Sequence, residues 1–356
     1  MTDPRRKPLA IVVGSGGVGK TTLAAALGLR SAQRGDDTLV MTFDPSLRLK
    51  DALGVGDEAR EAETDVAFEA RGRLAASLLD PRRTFDRLID RYAPDEAAKR
   101  RILDNRFYDR LSGNLAGVLE YMASERLFEV AASGRWDRVI LDTPPTRQAL
   151  DFLGAPERIV SFLDSGALRI ALKPWFDADG KLKATARLGI LGRNVESFLD
   201  RMVGLELLRD MAEFFQAFAP LYEGFRERAL EVQKLLRSRD TLFVLVSGPG
   251  SGRVADTLFF ARRLAEDGCA LGPIVVNRVH PELPPTRDTA REGRQLLEWL
   301  GRRDHRGVAE LRDLVGASHP VVEVPLLAHE PTDLASLEEL GRVFEEGLDE
   351  ALARRR

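Results

Sequence analysis

The run LAIVVGSGGVGKTT, Leu9 to Thr22, decides how the rest of the chain is read. Five apolar, largely β-branched residues lead into a glycine-rich stretch, Gly14-Ser15-Gly16-Gly17-Val18-Gly19, that ends in Lys20-Thr21-Thr22. This matches G-x-x-x-x-G-K-[ST] in its required setting, a strand before the loop and a helix after it. Glycines let successive backbone N–H groups turn toward phosphate oxygens, and the following helix adds its positive N-terminal end. Lys20 is placed to reach the β- and γ-phosphates, Thr21 to hold Mg²⁺ through its hydroxyl, and Thr22 to support the α-phosphate. A glycine turn that binds nothing does not require the lysine and hydroxyl at these spacings.

Outward from the loop, short apolar runs alternate with longer helical patterns. That alternation predicts a doubly wound α/β fold, a mostly parallel sheet with crossover helices. The expected strands cover residues 9–13, 38–43, 66–69, 138–141, 241–246, 273–276 and 321–324. Residues 20–34 read as a helix closed by Gly35. Two stretches, 74–133 and 148–238, read as helical insertions on that core. In the second, Val195, Phe198, Leu199, Met202, Leu205, Leu208, Met211, Phe215 and Phe218 follow the helical period. Residues 173–192, containing KPWFDADGK, read as a connection between helices.

Bulk properties exclude several classes. The 356 residues, 44% of them hydrophobic, can bury a large core, and a formal net charge of −3 supplies no basic field for nucleic acid or an anionic membrane. A single cysteine, Cys269, allows no internal disulfide or CxxC metal pair and fits a reducing cytoplasm. Its simplest reading is a helix-end or core residue. The N-terminus lacks the apolar core of a signal peptide, and no apolar run approaches the ~18–20 residues of a membrane span.

A Mg²⁺ nucleotide site in an open α/β sheet takes its carboxylates from strand ends. Asp142 ends RVILD ahead of Thr143-Pro-Pro-Thr, and Asp44 ends LVMTFD ahead of Pro45. A turn or helix-cap aspartate is the structural alternative for each.

GGVGKTT, FDPSLRLKDALG, VILDTPPTRQALDFLGAP, VVNRV and VPLLAHEPTDLASL, in this order and spacing, resemble the ArsA-like ATPases. That group contains the arsenite-efflux ATPase and the ATPases that target tail-anchored membrane proteins. The resemblance spans residues 9–340 and implies a SIMIBI-type P-loop NTPase, with residues 1–356 as one ATPase domain whose helical insertions form a subdomain. It implies Asp44 as the residue that orients or deprotonates the attacking water, and Asp142 with Thr143 as the group sensing Mg²⁺ and γ-phosphate. Asn277 is implied to read adenine, an amide being able to donate and accept together, and Pro325 and Leu326 to line the other side of the base. ATP and Mg²⁺ are the implied cofactors, in a homodimer or a heterodimer with an ArsA-like paralogue. In relatives that carry clients, helices of two subunits form an apolar groove. SFLDSGALRIALKPWF and the 202–218 stretch supply such a surface here, or else pack on their own helices.

Departures are as informative. Neither the cysteine pair that bridges zinc nor the cysteine triad that binds arsenite is present. Switch I carries Ser46-Leu47 after its proline, and switch II carries Arg147-Gln148. Position 15, a signature lysine that reaches the partner's nucleotide in the deviant loop class, is Ser15. A trans cation of that kind is worth roughly 10³–10⁵ in rate where an arginine finger supplies it. Slow hydrolysis, a substitute cation such as Arg147 or Arg48, and a lysine-bearing paralogue are the three readings open. Two other functions compete. A MinD/ParA-like ATPase shares the loop, but its basic membrane helix is not matched by 337–352, interleaved with Glu338, Glu339, Glu345, Glu346 and Glu350. A non-catalytic binding module would hold ATP only to fix a conformation, and retention of Lys20, Thr21, Asp44 and Asp142 argues against it.

Overall fold

A computed structural model describes residues 3–43, 48–60, 62–109, 118–144, 146–165, 205–284, 292–316 and 318–354. The chain opens with β1 (Leu9–Gly14), α1 (Lys20–Arg34), β2 (Thr38–Thr42) and α2 (Arg48–Leu53), followed by β3 (Thr64–Asp65) and β4 (Leu74–Leu78). Helices α3 (Pro81–Tyr92), α4 (Glu96–Leu103) and α5 (Val118–Ala132) precede β5 (Arg138–Asp142) and α6 (Thr146–Ser165). Then come α7 (Leu205–Phe218), α8 (Tyr222–Leu236), β6 (Thr241–Ser247), α9 (Val254–Glu266) and β7 (Leu271–Val279). The chain ends with α10 (Glu292–Val315), β8 (Val321–Pro325) and α11 (Leu334–Ala353).

These elements form two compact units. One comprises Met1–Leu79, Leu127–Leu153 and Lys234–Arg356; the other comprises Asp80–Arg126 and Gly154–Gln233. The first holds an eight-stranded sheet in the order β3-β4-β2-β5-β1-β6-β7-β8 among the described residues. All neighbours are parallel except β3 against β4. Strand β1 lies inside the sheet, with β5, β2, β4 and β3 on one side of it and β6, β7 and β8 in order on the other, which is the doubly wound arrangement expected. Helices cover the sheet, so its strands are apolar throughout instead of alternating. Leu9–Val13 are at most 2% exposed.

Helix α1 begins at Gly19 (φ +89) and ends at Gly35 (φ +110), whose N–H reaches the Ala32 carbonyl. Both positions lie in the left-handed region, which glycine enters without a Cβ clash. Helix α11 starts from a capping box on Asp333 and Ser336 and contributes Leu337, Leu340, Phe344 and Leu348 to the core that includes Leu23, Ala26 and Leu27 of α1. The acidic residues noted in the sequence thus lie on a helix whose apolar stripe is spent on the core.

One expected strand is displaced. Residues 66–69 are not a strand: only Thr64–Asp65 pairs, antiparallel to Ala75–Ala76, and the full strand is Leu74–Leu78. The sequence LAASL reads by composition as the start of a helix. Its small side chains are instead buried in the sheet beside β2, in register Thr38↔Leu74 to Thr42↔Leu78, so tertiary pairing overrides local propensity.

The second unit is helical, and its core is aromatic. Phe85 of α3, Phe214 and Phe218 of α7 and Phe225 of α8 pack mainly edge-to-face, with Phe218 and Phe225 ring centroids 4.7 Å apart. A buried Arg228–Glu125 pair (2.7 Å) joins α8 to α5. Phe214, Phe215, Ala217 and Phe218 are buried in this cluster, so the described apolar side chains of the 202–218 stretch pack mainly on their own helices. Residues 173–192 lie outside the described residues, as does most of SFLDSGALRIALKPWF. Cys269 is buried just past α9, its N–H bonded to the Leu264 carbonyl. Among the described residues no helix is long and apolar enough to cross a membrane.

Candidate nucleotide site

The loop Gly14–Gly19 leaves the carboxyl end of the central strand, the place where open α/β sheets bind ligands. Gly14 has no room for a side chain: a Cβ there would lie 2.0 Å from the Val246 carbonyl oxygen of β6. Gly17 (φ +75) and Gly19 (φ +89) supply the left-handed turns that carry the loop into α1.

Three loop carbonyls are held by side chains. Lys20, 6% exposed, donates from Nζ to the Ser15 carbonyl (2.9 Å); Asn277 Nδ2 donates to Val18 (2.8 Å) and Arg278 Nη1 to Gly17 (3.3 Å). In a trans peptide the N–H points opposite to the C=O. The amides of Gly16, Val18 and Gly19 are therefore turned away from these side chains, the arrangement a cradle for anionic oxygens needs. The buried Lys20 ammonium, placed at the mouth of the loop, is a cation suited to a phosphate.

At the other end of the cradle Asp142, fully buried, closes β5. Its Oδ2 accepts from the Thr21 hydroxyl (2.8 Å) and from the Thr42 hydroxyl (3.1 Å). Thr42 is the last residue of β2 and lies in register beside Asp142, which explains the contact. Sequence reading passed over Thr42; the available signal was a polar residue interrupting LVMTFD. A hydroxyl beside a carboxylate is a hard-oxygen donor set, and no group of three or more His, Cys, Asp or Glu occurs among the described residues. That chemistry suits Mg²⁺, which takes one or two protein oxygens and completes its shell with phosphate and water. Thr21 and Asp142 would hold it. Thr143, also buried, donates its hydroxyl to the Val12 carbonyl (2.8 Å), tying the start of the following loop to β1.

Beside Thr22 a cleft of about 280 Å³ is lined by Gly19, Asn277, Pro325 and Leu326, with Arg278 and Glu330 on its lining as well. It brings Asn277, Pro325 and Leu326 together, as the sequence reading expected of a base site. Asn277 is nevertheless mostly occupied with the protein: besides the bond to Val18, its Oδ1 accepts from the Arg278 N–H (3.0 Å). Asp44, Ser46 and Leu47 lie outside the described residues, as does the side chain of Arg147; Arg48 is exposed at the start of α2.

Comparison with known proteins agrees with this geometry. A model of the anion-transporting ATPase family matches residues 8–346. The chain is 26% identical over 338 residues to a putative arsenical pump-driving ATPase 1 of Aquifex aeolicus, covering 93% of this chain and 77% of that one. It is 27% identical over 330 residues to ATPase GET3 of Malassezia globosa, covering 92% of this chain and 88% of that one. An uncharacterized protein of Streptomyces coelicolor is 28% identical over 319 residues, covering 85% and 71%.

Proposed function

This chain belongs to the anion-transporting ATPase family, and from that premise we propose that it is a Mg²⁺-dependent ATPase of the cytoplasm that couples ATP-driven dimer closure to binding of a client or partner protein. The observation that carries the proposal is the juxtaposition of a buried Lys20, three restrained loop carbonyls and the Thr21–Asp142 pair at one end of the sheet. Loop amides and Lys20 bind the phosphates, while Asn277, Pro325 and Leu326 flank the base. Mg²⁺, when bound at Thr21 and Asp142, neutralises charge on the phosphate oxygens. Asp44 orients a water for in-line attack on the γ-phosphate and takes its proton. Phe43, immediately before it, is buried and stacked on Phe152 (5.4 Å), which anchors the chain where that residue begins.

Positioning and charge stabilisation make up most of phosphoryl-transfer catalysis, so a missing cation matters. Ser15 offers the site a carbonyl and a hydroxyl but no charge. This favours a second reading, in which the chain is a weakly active or regulatory partner of a lysine-bearing paralogue. Phe214, Phe215 and Phe218 are committed to the helical core and so leave a client surface to other residues.

Both readings are tested by measuring ADP release and molar mass in solution, with ATP and Mg²⁺, with EDTA, and with a transition-state mimic. Mg²⁺-dependent turnover with a doubling of mass supports the first. Turnover that appears only on adding a paralogue co-purified from the native host supports the second, and Ser15→Lys should then raise partner-free turnover. Hydrolysis unaffected by EDTA, with constant mass, refutes both.

A further inference from the structure

Strand β7 ends in Asn277-Arg278-Val279, and its register with β8 slips between Asn277 and Val279. A bulge of this kind inserts one residue and re-aims its side chain. The inserted residue is Arg278, at φ +63, the one non-glycine residue with positive φ among the described residues. Glycine or asparagine occupies that conformation with less strain than arginine does. A turn alone therefore does not explain an arginine here; its side chain does.

The guanidinium spans two parts of the nucleotide site. Nη1 donates to the Gly17 carbonyl of the phosphate loop (3.3 Å), and Nη2 to Glu330 beyond β8 (3.4 Å). Its backbone N–H donates to Asn277 Oδ1, and Asn277 in turn holds the Val18 carbonyl. Two consecutive residues at the end of β7 thus grip two consecutive loop carbonyls, and both residues line the cleft with Glu330.

We propose that Arg278 is a positioning residue for nucleotide binding: it fixes the Gly17–Val18 peptide of the phosphate loop and ties it to Glu330 across the base cleft. This rests on the ATPase reading. The side chain is 46% exposed, so neither contact is strong alone. Its effect comes from orienting loop amides that must otherwise be ordered by the nucleotide.

The test uses the full chain and a fluorescent ATP analogue, with Arg278→Gly, Arg278→Asn, Arg278→Lys and Glu330→Gln. Thermal unfolding without nucleotide is measured alongside. Arg278→Gly and Arg278→Asn should be as stable as the parent or more so, yet bind about tenfold more weakly, the size of one charged hydrogen bond. Arg278→Lys should recover part of that loss, and Glu330→Gln should lose less than Arg278→Gly. Undiminished binding by Arg278→Gly, or equal loss in the glycine and lysine variants, overturns the proposal while leaving the ATPase reading intact. Failure of the parent chain to bind the analogue overturns both.

Discussion

Replacing Gly19 with alanine sets two residues against each other. The new Cβ would lie 2.4 Å from Asn277 Nδ2, and the backbone at φ +89 is hostile to any L side chain. Strain of that kind costs about 1–2 kcal/mol. Turning the Asn277 amide aside breaks its 2.8 Å bond to Val18, and Asn277 is only 7% exposed, so water does not replace the partner. Leaving such groups unpaired costs about 1–3 kcal/mol, giving roughly 2–5 kcal/mol in all. Asn277→Ala removes both the bond and the obstacle, so in that background Gly19→Ala should cost only the strain, about 1–2 kcal/mol. The two substitutions should therefore be less than additive by about 1–3 kcal/mol. Urea unfolding in a Trp175→Phe background measures this, because Trp136 and Trp299 both lie in the sheet-bearing unit. Additivity within about 0.5 kcal/mol would refute the steric argument, since residues that do not interact behave that way.

Two further outcomes follow from the same structure. Asp142→Asn keeps the shape but loses the charge beside the Thr21 and Thr42 hydroxyls; hydrolysis should fall by about 10²–10³, with ATP binding in EDTA unchanged, by steady-state turnover and titration. Arg138 is 3% exposed, and its Nε and Nη1 have no hydrogen-bond partner among the described residues; burial pushes its pKa down to about 10. The unfolded chain keeps that proton to higher pH, so the penalty for the buried charge is fully present at neutral pH and is relieved only as pH rises through about 10. Arg138→Met should accordingly stabilise the protein at pH 7 by about 1–4 kcal/mol in denaturant unfolding, and a loss of stability would contradict the assignment of an uncompensated charge.

Local chemistry was legible in the sequence wherever it depends on residue type and spacing alone. The glycine run 14–19 announces a tight loop, Lys20-Thr21 announces phosphate and Mg²⁺ chemistry, and Gly35 announces the end of α1; Gly14, Gly17 and Gly19 have positive φ, Lys20 opens α1 and Gly35 closes it. The alternation of β-branched runs with helices was enough for a doubly wound sheet, because a parallel strand buried on both faces has to be apolar along its whole length. What needed the tertiary structure was anything set by a neighbour distant in the chain. LAASL became a strand because β2 offered it a register, and Thr42 joined Asp142 because parallel pairing brought two strand ends level. Arg278 reached Gly17 because a bulge against β8 turned it there, and Phe214 and Phe218 turned inward because α3 and α8 supplied aromatic partners. Periodicity in a single chain specifies which face of a helix is apolar. It does not specify what that face meets, since the contact energy belongs to both partners.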